Sequence, residues 1–295
     1  RFRTVSFDGH VHTAYSHDAR HPVLDVMHLA DRVGLDAIML TDHGTSRAEV
    51  DVHDFAGSVT PIVGSEMGGR YGHALTWAYV DPPRRRAEAE FMEMDTLAQY
   101  VHAQNGLVVL AHPGWFIDGN HVNPRYYMQY DVIRRGGRGA QIDGIEIWNA
   151  MYAAPTAGLL DEWLGLLDRG VYVPITGGTD FHSFGQIVDL GSPRNMVLCP
   201  TGRDGALTQT KRECVMEGMR TGRSYITDGP SIDLQVNGKI FGELLTPAVG
   251  EEVTIDVRAI AFQNATLRVR IGHTDVRTFP LVAALLVPDS ELRID

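Results

Sequence analysis

At 295 residues the chain has room for one large domain, or for one large and one small. Its hydrophobic content of 44% suits a folded core, and no run of about 18 apolar residues is present to span a membrane. The net charge of −11, from 26 basic and 37 acidic side chains, argues against wide nucleic-acid contact, which needs clustered Lys and Arg. Lys211 and Lys239 are the only lysines, a compositional habit rather than a functional sign. Cys199 and Cys214 form no zinc-type C-x-x-C and are too few for a disulfide scaffold, so the expectation is two buried free thiols. The chain begins at Arg1 rather than Met, which leaves its compartment open between cytoplasm and export.

The first predicted strand, Thr4 to His10, runs into Phe7-Asp8-Gly9-His10-Val11-His12-Thr13-Ala14-Tyr15-Ser16-His17-Asp18. Side chains at i and i+2 of a strand share a face about 7 Å apart, so His10 and His12 can grip one ion from a strand end. Pro22 to Val33 carries a helical stripe (Val23, Val26, Met27, Ala30, Val33) closed by Gly34. Ala37-Ile38-Met39-Leu40 then runs apolar into Thr41-Asp42-His43, the pattern of a strand buried on both faces. Pro61 to Glu66 and Leu107 to Pro113 repeat it, with a strand over Ala74–Val80 and a helix over Met94–Gln104 between them. A sixth strand covers Gly144–Asn149, a helix Thr156–Leu167, and a seventh strand Val173–Asp180.

Four of these strands end at their carboxyl side in His12, His43, His112 and Asp180, and Glu66 ends a fifth. Reactive residues at strand C-termini in a series of βα units predict a closed α/β barrel of about seven strands, (βα)7 and TIM-like. Beyond Asp180 the alternation decays. Met196–Leu198 can add a strand, Gly205–Arg220 reads as a helix, and from Ser231 the texture is all-β, with an Asn237-Gly238 turn and alternating Val253–Ala259 and Thr266–Ile271. The expected organisation is a barrel over residues 1–230 and a small β-sandwich-like module over 231–295.

Nine residues with metal-ligand chemistry recur at or just after these strand ends: His10, His12, Asp18, His43, Glu66, His73, His112, Asp180 and His182. Each alone has a structural explanation as a cap or turn. Their joint placement on one barrel face points to a metal site. Imidazole and carboxylate without thiolate suit Zn, Mn or Fe without selecting one. Two or three divalent ions are expected, with a bridging hydroxide as nucleophile and no serine or cysteine elbow required.

The segments D-G-H-V-H-T-A-Y-S-H-D-A, L-T-D-H, V-G-S-E-M, Y-G-H-A-L, L-A-H-P and G-T-D-F-H, complete and in order, resemble the motif series of the polymerase-and-histidinol-phosphatase (PHP) family of metal-dependent hydrolases. G-S-P-R-N-M-V and Y-I-T-D-G-P-S-I resemble its carbaryl-hydrolase-like branch, which also carries a β-module after the barrel. The resemblance implies a trinuclear centre. His10, His12, Glu66 and Asp180 would hold a first ion, Glu66 would bridge to a second completed by His73 and His112, and Asp18, His43 and His182 would hold a third. His17 stands beside Asp18 as a rival for that last position, and S-x-D-G is here S-H-D-A.

Asp8 and Asp42 sit beside ligands and either orient imidazoles or cap local turns. Arg194 either binds a phosphoryl or carboxylate oxygen or makes a surface ion pair. Trp115, Phe116, Arg125, Tyr126, Tyr127 and Tyr130, with Trp148 and Tyr152, either line a pocket for a flat group or pack the barrel. His121 is the candidate acid for the leaving group. The function read from these residues is hydrolysis of a small-molecule phosphoester. Carbamate or carboxylic-ester hydrolysis on the same centre is the alternative, and a non-catalytic binding barrel the third reading.

Overall fold

The computed structural model describes residues 1–69, 72–78, 94–113, 142–150, 157–185, 189–260, 265–271, 274–281 and 292–294. Its main element is a nearly closed, barrel-like sheet of nine strands: β1 (Phe2–Val11), β2 (Ala37–Leu40), β3 (Thr60–Gly69), β4 (Gly72–Trp77), β5 (Leu107–Leu110), β6 (Gly144–Asn149), β7 (Ile175–Gly178), β8 (Arg194–Pro200) and β9 (Ser224–Thr227). Their order is β7-β6-β5-β4-β3-β2-β1-β8-β9. The seven strands expected from the sequence all form. The regular parallel pattern breaks at β4, which is antiparallel to both β3 and β5, and β8 and β9 extend the sheet antiparallel beyond β1. The closure lies at the far end of β1. There Asp180 N–H donates to His10 O (2.8 Å) and His12 N–H donates to Phe181 O (2.9 Å).

Strand β2 explains why a purely apolar run was needed. Ala37 and Met39 face one core cluster, with Phe7, Ile62, Leu75, Trp77 and Val109, while Ile38 and Leu40 face another, with Val26, Met27 and Ala30 of helix α1 (Val23–Arg32). Both faces of the strand are therefore dry. In β1, Val5 and Phe7 join the first cluster, but Val11 joins the second. A register shift between Asp8 and Val11 changes which face looks inward, and so His10 and His12 turn into the barrel. A short helix α2 (Ala48–Asp51), helix α3 (Met94–Ala103) and helix α4 (Ala157–Asp168) complete the βα units.

Helix α5 (Lys211–Thr221) sends Cys214, Val215, Met216 and Met219 into the first cluster. It starts later than the expected Gly205 because Thr210 and Glu213 close a capping box at its N-terminus. The two cysteines are not free thiols: Cys199 on β8 and Cys214 on α5 form a disulfide. Folding sets their Cα atoms 5.6 Å apart, within bridging distance, although 15 residues separate them in the chain.

Among the described residues from Ser231 on, the strands pair only among themselves. One sheet has the order β10-β11-β14 (Ser231–Val236, Ile255–Ile260, Leu292–Ile294), and β12 (Ala265–Ile271) pairs β13 (Thr274–Leu281) in an antiparallel hairpin. Asn237 and Gly238 both take left-handed backbone (φ 48° and 74°), as a two-residue hairpin turn requires. Among the described residues no helix is long and apolar enough to cross a membrane.

Candidate metal centre

The carboxyl ends of the parallel strands, the loop after β1 and the amino end of the reversed β4 bring all nine sequence-selected side chains together. Strand β1 delivers His10 and His12, the end of β2 His43, β3 Glu66, β4 His73, the end of β5 His112, and the end of β7 Asp180 and His182. Asp18 follows β1 in a loop whose backbone returns to the β7 end, Arg20 N–H donating to His182 O (3.3 Å).

Glu66 stands at the centre, 1% exposed. Its Oε2 lies 3.2 Å from His10 Nε2 and 3.1 Å from His12 Nε2; its Oε1 lies 2.5 Å from His73 Nδ1 and 3.0 Å from His112 Nε2. Asp180 Oδ1 sits 3.2 Å from both His10 Nε2 and His12 Nε2, which are themselves 3.0 Å apart. Donors around a tetrahedral ion with bonds of about 2.0 Å are about 3.3 Å apart, close to this spacing. Farther out, Asp18 Oδ2 is 3.3 Å from His43 Nε2, 3.5 Å from His182 Nε2 and 3.8 Å from His17 Nε2. Donor atoms of His10, His12, Glu66 and Asp180 lie within one coordination-sized cluster, as do those of Glu66, His73 and His112, of His17, Asp18 and His43, and of His12, His43 and His182.

Hydrogen bonds fix which ring nitrogens face the cluster. Ser16 donates its hydroxyl to Asp42 Oδ1 (2.7 Å), so it accepts from His12 Nδ1–H (2.9 Å) and His43 N–H (3.1 Å). His10 Nδ1 donates to Glu146 Oε1 (3.1 Å), and His182 Nδ1 donates to Asp180 O (2.7 Å). The Nε2 lone pairs of all three are thereby aimed at the cluster. Asp42 thus orients His12 through Ser16. Asp8 does something else: it accepts from Thr179 N and Oγ1, His10 N and Gly191 N, and so ties β1 to the β7 end and the β8 approach.

The donor set calls for a cation. Asp8, Asp42, Glu66, Glu146 and Asp180 are all buried, and among the described residues none pairs with Arg or Lys. Buried carboxylates need compensating charge. Without an ion, the inner imidazoles must supply it. Burial opposes charge on His12, yet hydrogen bonds to Asp180 and Glu66 carry its pKa up to about 9. Burial is likewise outweighed at His10, which the Asp180, Glu146 and Glu66 charges raise well above its usual value. Burial would raise Glu66 and Asp180, but the His10 charge and the imidazole hydrogen bonds hold both well below the carboxylate range. Burial lowers His43 to about 4 and lowers His182, leaving the outer rings neutral with lone pairs available. Burial alone pushes Asp8 up to about 6, against its hydrogen bonds. A divalent ion would take over the role of the inner protons, and the residues present fit one.

Two expectations fall elsewhere. Arg194 donates through Nε to Gly191 O (2.7 Å) and through its terminal nitrogen to Val33 O (3.4 Å), so its guanidinium clasps main chain between the end of α1 and β8. His121, the aromatic segment from Trp115 to Tyr130 and Tyr152 lie outside the described residues. One residue was missed by the sequence reading: Glu146, a lone carboxylate inside an otherwise apolar strand, whose only sign was that isolation.

A mixed α/β barrel with histidine–carboxylate clusters gathered at its strand ends defines the class of metal-dependent barrel hydrolases. The PHP domain matches residues 8–165, more than half of the chain. The chain belongs to the PHP family. A two-domain protein from Bacteroides vulgatus containing a predicted PHP-like metal-dependent phosphoesterase is similar at 15% identity, over 99% of this chain and 85% of that one, with a TM-score of 0.55. PsfC from Pseudomonas syringae is similar at 18% identity, over 76% and 91%, with a TM-score of 0.52. The lesion-specific endonuclease Q of Pyrococcus furiosus is similar at 16%, over 76% and 58%, also at 0.52. At these identities the likeness is one of fold. No curated protein matches the chain.

Proposed function

We propose that the chain is a metal-dependent phosphoesterase with a trinuclear centre acting on a small molecule. His10, His12, Glu66 and Asp180 would hold the first ion, Glu66, His73 and His112 the second, and Asp18, His43 and His182 the third. The observation that carries the reading is Glu66, whose Oε1 faces His73 and His112 while its Oε2 faces His10, His12 and His43, the disposition of a bridging carboxylate. Bound divalent ions would lower the pKa of water and neutralise charge on the attacked centre. The chain's own part is to aim the imidazoles through Glu146 and Ser16, and to hold the inner donors away from bulk water. His121 remains the candidate acid for the leaving group. Asp18 is favoured over His17 for the third ion because the Nε2 atoms of both His43 and His182 converge on it.

Carbamate or carboxylic-ester hydrolysis is the second reading. It rests on the two carbaryl-hydrolase-like segments, which pair directly as β8 and β9, Asn195 opposite Ile226. A small substrate, rather than DNA as for endonuclease Q, accords with the net charge of −11. We further propose that residues 231–295 form a module apart from the barrel, because their strands pair only with one another.

The deciding experiment is turnover of p-nitrophenyl phosphate, its diester, and an aryl acetate or carbamate by protein loaded with Mn, Zn or Fe. Phosphate-ester turnover that depends on added metal supports the first reading. Aryl-ester or carbamate turnover alone would replace it with the second, and none at all with a binding role.

A further inference from the structure

Glu146 projects from β6 into the barrel, 1% exposed, between the first and second donor sets. Its Oε1 meets His10 Nδ1 at 3.1 Å, and its Oε2 accepts from His112 N–H at 2.8 Å and from the Asn149 amide at 3.3 Å. The same Asn149 nitrogen reaches Asp180 Oδ2 at 3.2 Å. One carboxylate thus sets the ring of a first-set ligand, the backbone of a second-set ligand and, through Asn149, a first-set carboxylate.

Two further observations show that the site is built around this group. A Cβ at Gly178 would fall 2.5 Å from Glu146 Oε1 and also collide with His10 Cβ, so only glycine leaves room for the contact. His112 holds left-handed backbone (φ 29°), which is costly for a residue with a side chain. Its N–H is pinned by Glu146 in that conformation.

We infer that Glu146 is a positioning residue shared by the first two metal sets, so that its loss weakens both together. The inference rests on the metal sets named under Proposed function. A carboxylate is required because three donors converge on it: His10 Nδ1–H, His112 N–H and the Asn149 amide. Glutamine offers one acceptor oxygen and would set its own N–H against one of these donors.

The test is Glu146→Gln, with zinc dissociation constants read by chelator competition in two backgrounds. His43→Ala is added to both backgrounds to disable the third set; His73→Ala then isolates the first set, and His12→Ala with Asp180→Ala the second. Loss of such supporting contacts costs about 10–100-fold in metal affinity, and that loss is expected in both backgrounds. A merely structural role would shift the unfolding midpoint and leave the dissociation constants unchanged. Unchanged constants, or a loss confined to one set, would overturn the inference. If Glu146→Gln does not fold, Glu146→Asp carries the test: the shortened carboxylate should lose His10 Nδ1 and His112 N–H and weaken both sets, and unchanged constants refute the assignment. Should the parent single-set proteins bind no zinc, the metal-set reading itself fails, a result distinct from parents that bind while Glu146→Gln binds equally well.

Discussion

Replacing Glu66 separates a bridged centre from a set of independent sites. Glu66→Ala removes one of four donors from the His10–His12–Asp180 set and one of three from the His73–His112 set. The first is left with three donors, still enough for an open zinc site, whereas the second is left with two imidazoles. If each lost donor costs at least the 10–100-fold typical of lesser changes, the loss is roughly 1.4–2.7 kcal/mol per set, felt twice. His43→Ala, by contrast, touches the outer set, where Asp18 and His182 remain. Dialysis against a fixed low level of free zinc should therefore strip more than one equivalent from Glu66→Ala, because both inner sets are weakened, and leave His43→Ala with about two. Turnover of the best phosphoester should be abolished in the first variant, and in the second weakened chiefly through KM. Equal metal loss and equal activity loss in both variants would refute the bridge.

Two other outcomes follow from the same geometry. Removing metal with a chelator leaves the buried Glu66, Glu146 and Asp180 to be balanced by imidazolium alone. The thermal midpoint should then fall by roughly 5–10 °C and recover on adding Mn or Zn, as expected for a ligand held at about 100 times its Kd. Arg194→Ala should cost about 1–3 kcal/mol in urea unfolding, because the Gly191 and Val33 carbonyls lose their donor, while KM stays within about twofold.

Most of the nine side chains were legible because they sit near or just beyond the end of an apolar strand, a boundary written in local sequence. A bridging role for Glu66 was expected from resemblance, but its two-faced carboxylate is visible only in three dimensions. Glu146 escaped because nothing local marks it: a single acid between Ile145 and Ile147 looks like strand alternation until β1 is known to lie across from it. Arg194 was chosen for what guanidinium groups can do, and only the tertiary path of Val33 and Gly191 shows what this one does. The cysteine pair failed for the same reason, since their proximity belongs to the packing of α5 on β8. The reversed direction of β4 was equally hidden, because direction leaves no mark on hydrophobic pattern.

Phe7, Leu75, Trp77 and Val109 lie with α5 in one closed apolar cluster, and its side chains form a floor beneath the histidines. Trp77 Nε1–H reaches Gly9 O at 3.0 Å, which seals that floor against the strand that carries His10. The exposed members of the centre, His17 at 63% and Asp18 at 43%, lie at the opposite rim. Among the described residues, the centre therefore opens toward the side of His17 and Asp18. A substrate admitted there meets the outer donors before the inner ones. Discrimination among substrates then falls to side chains around the rim, which can change without disturbing either the floor or the donors above it.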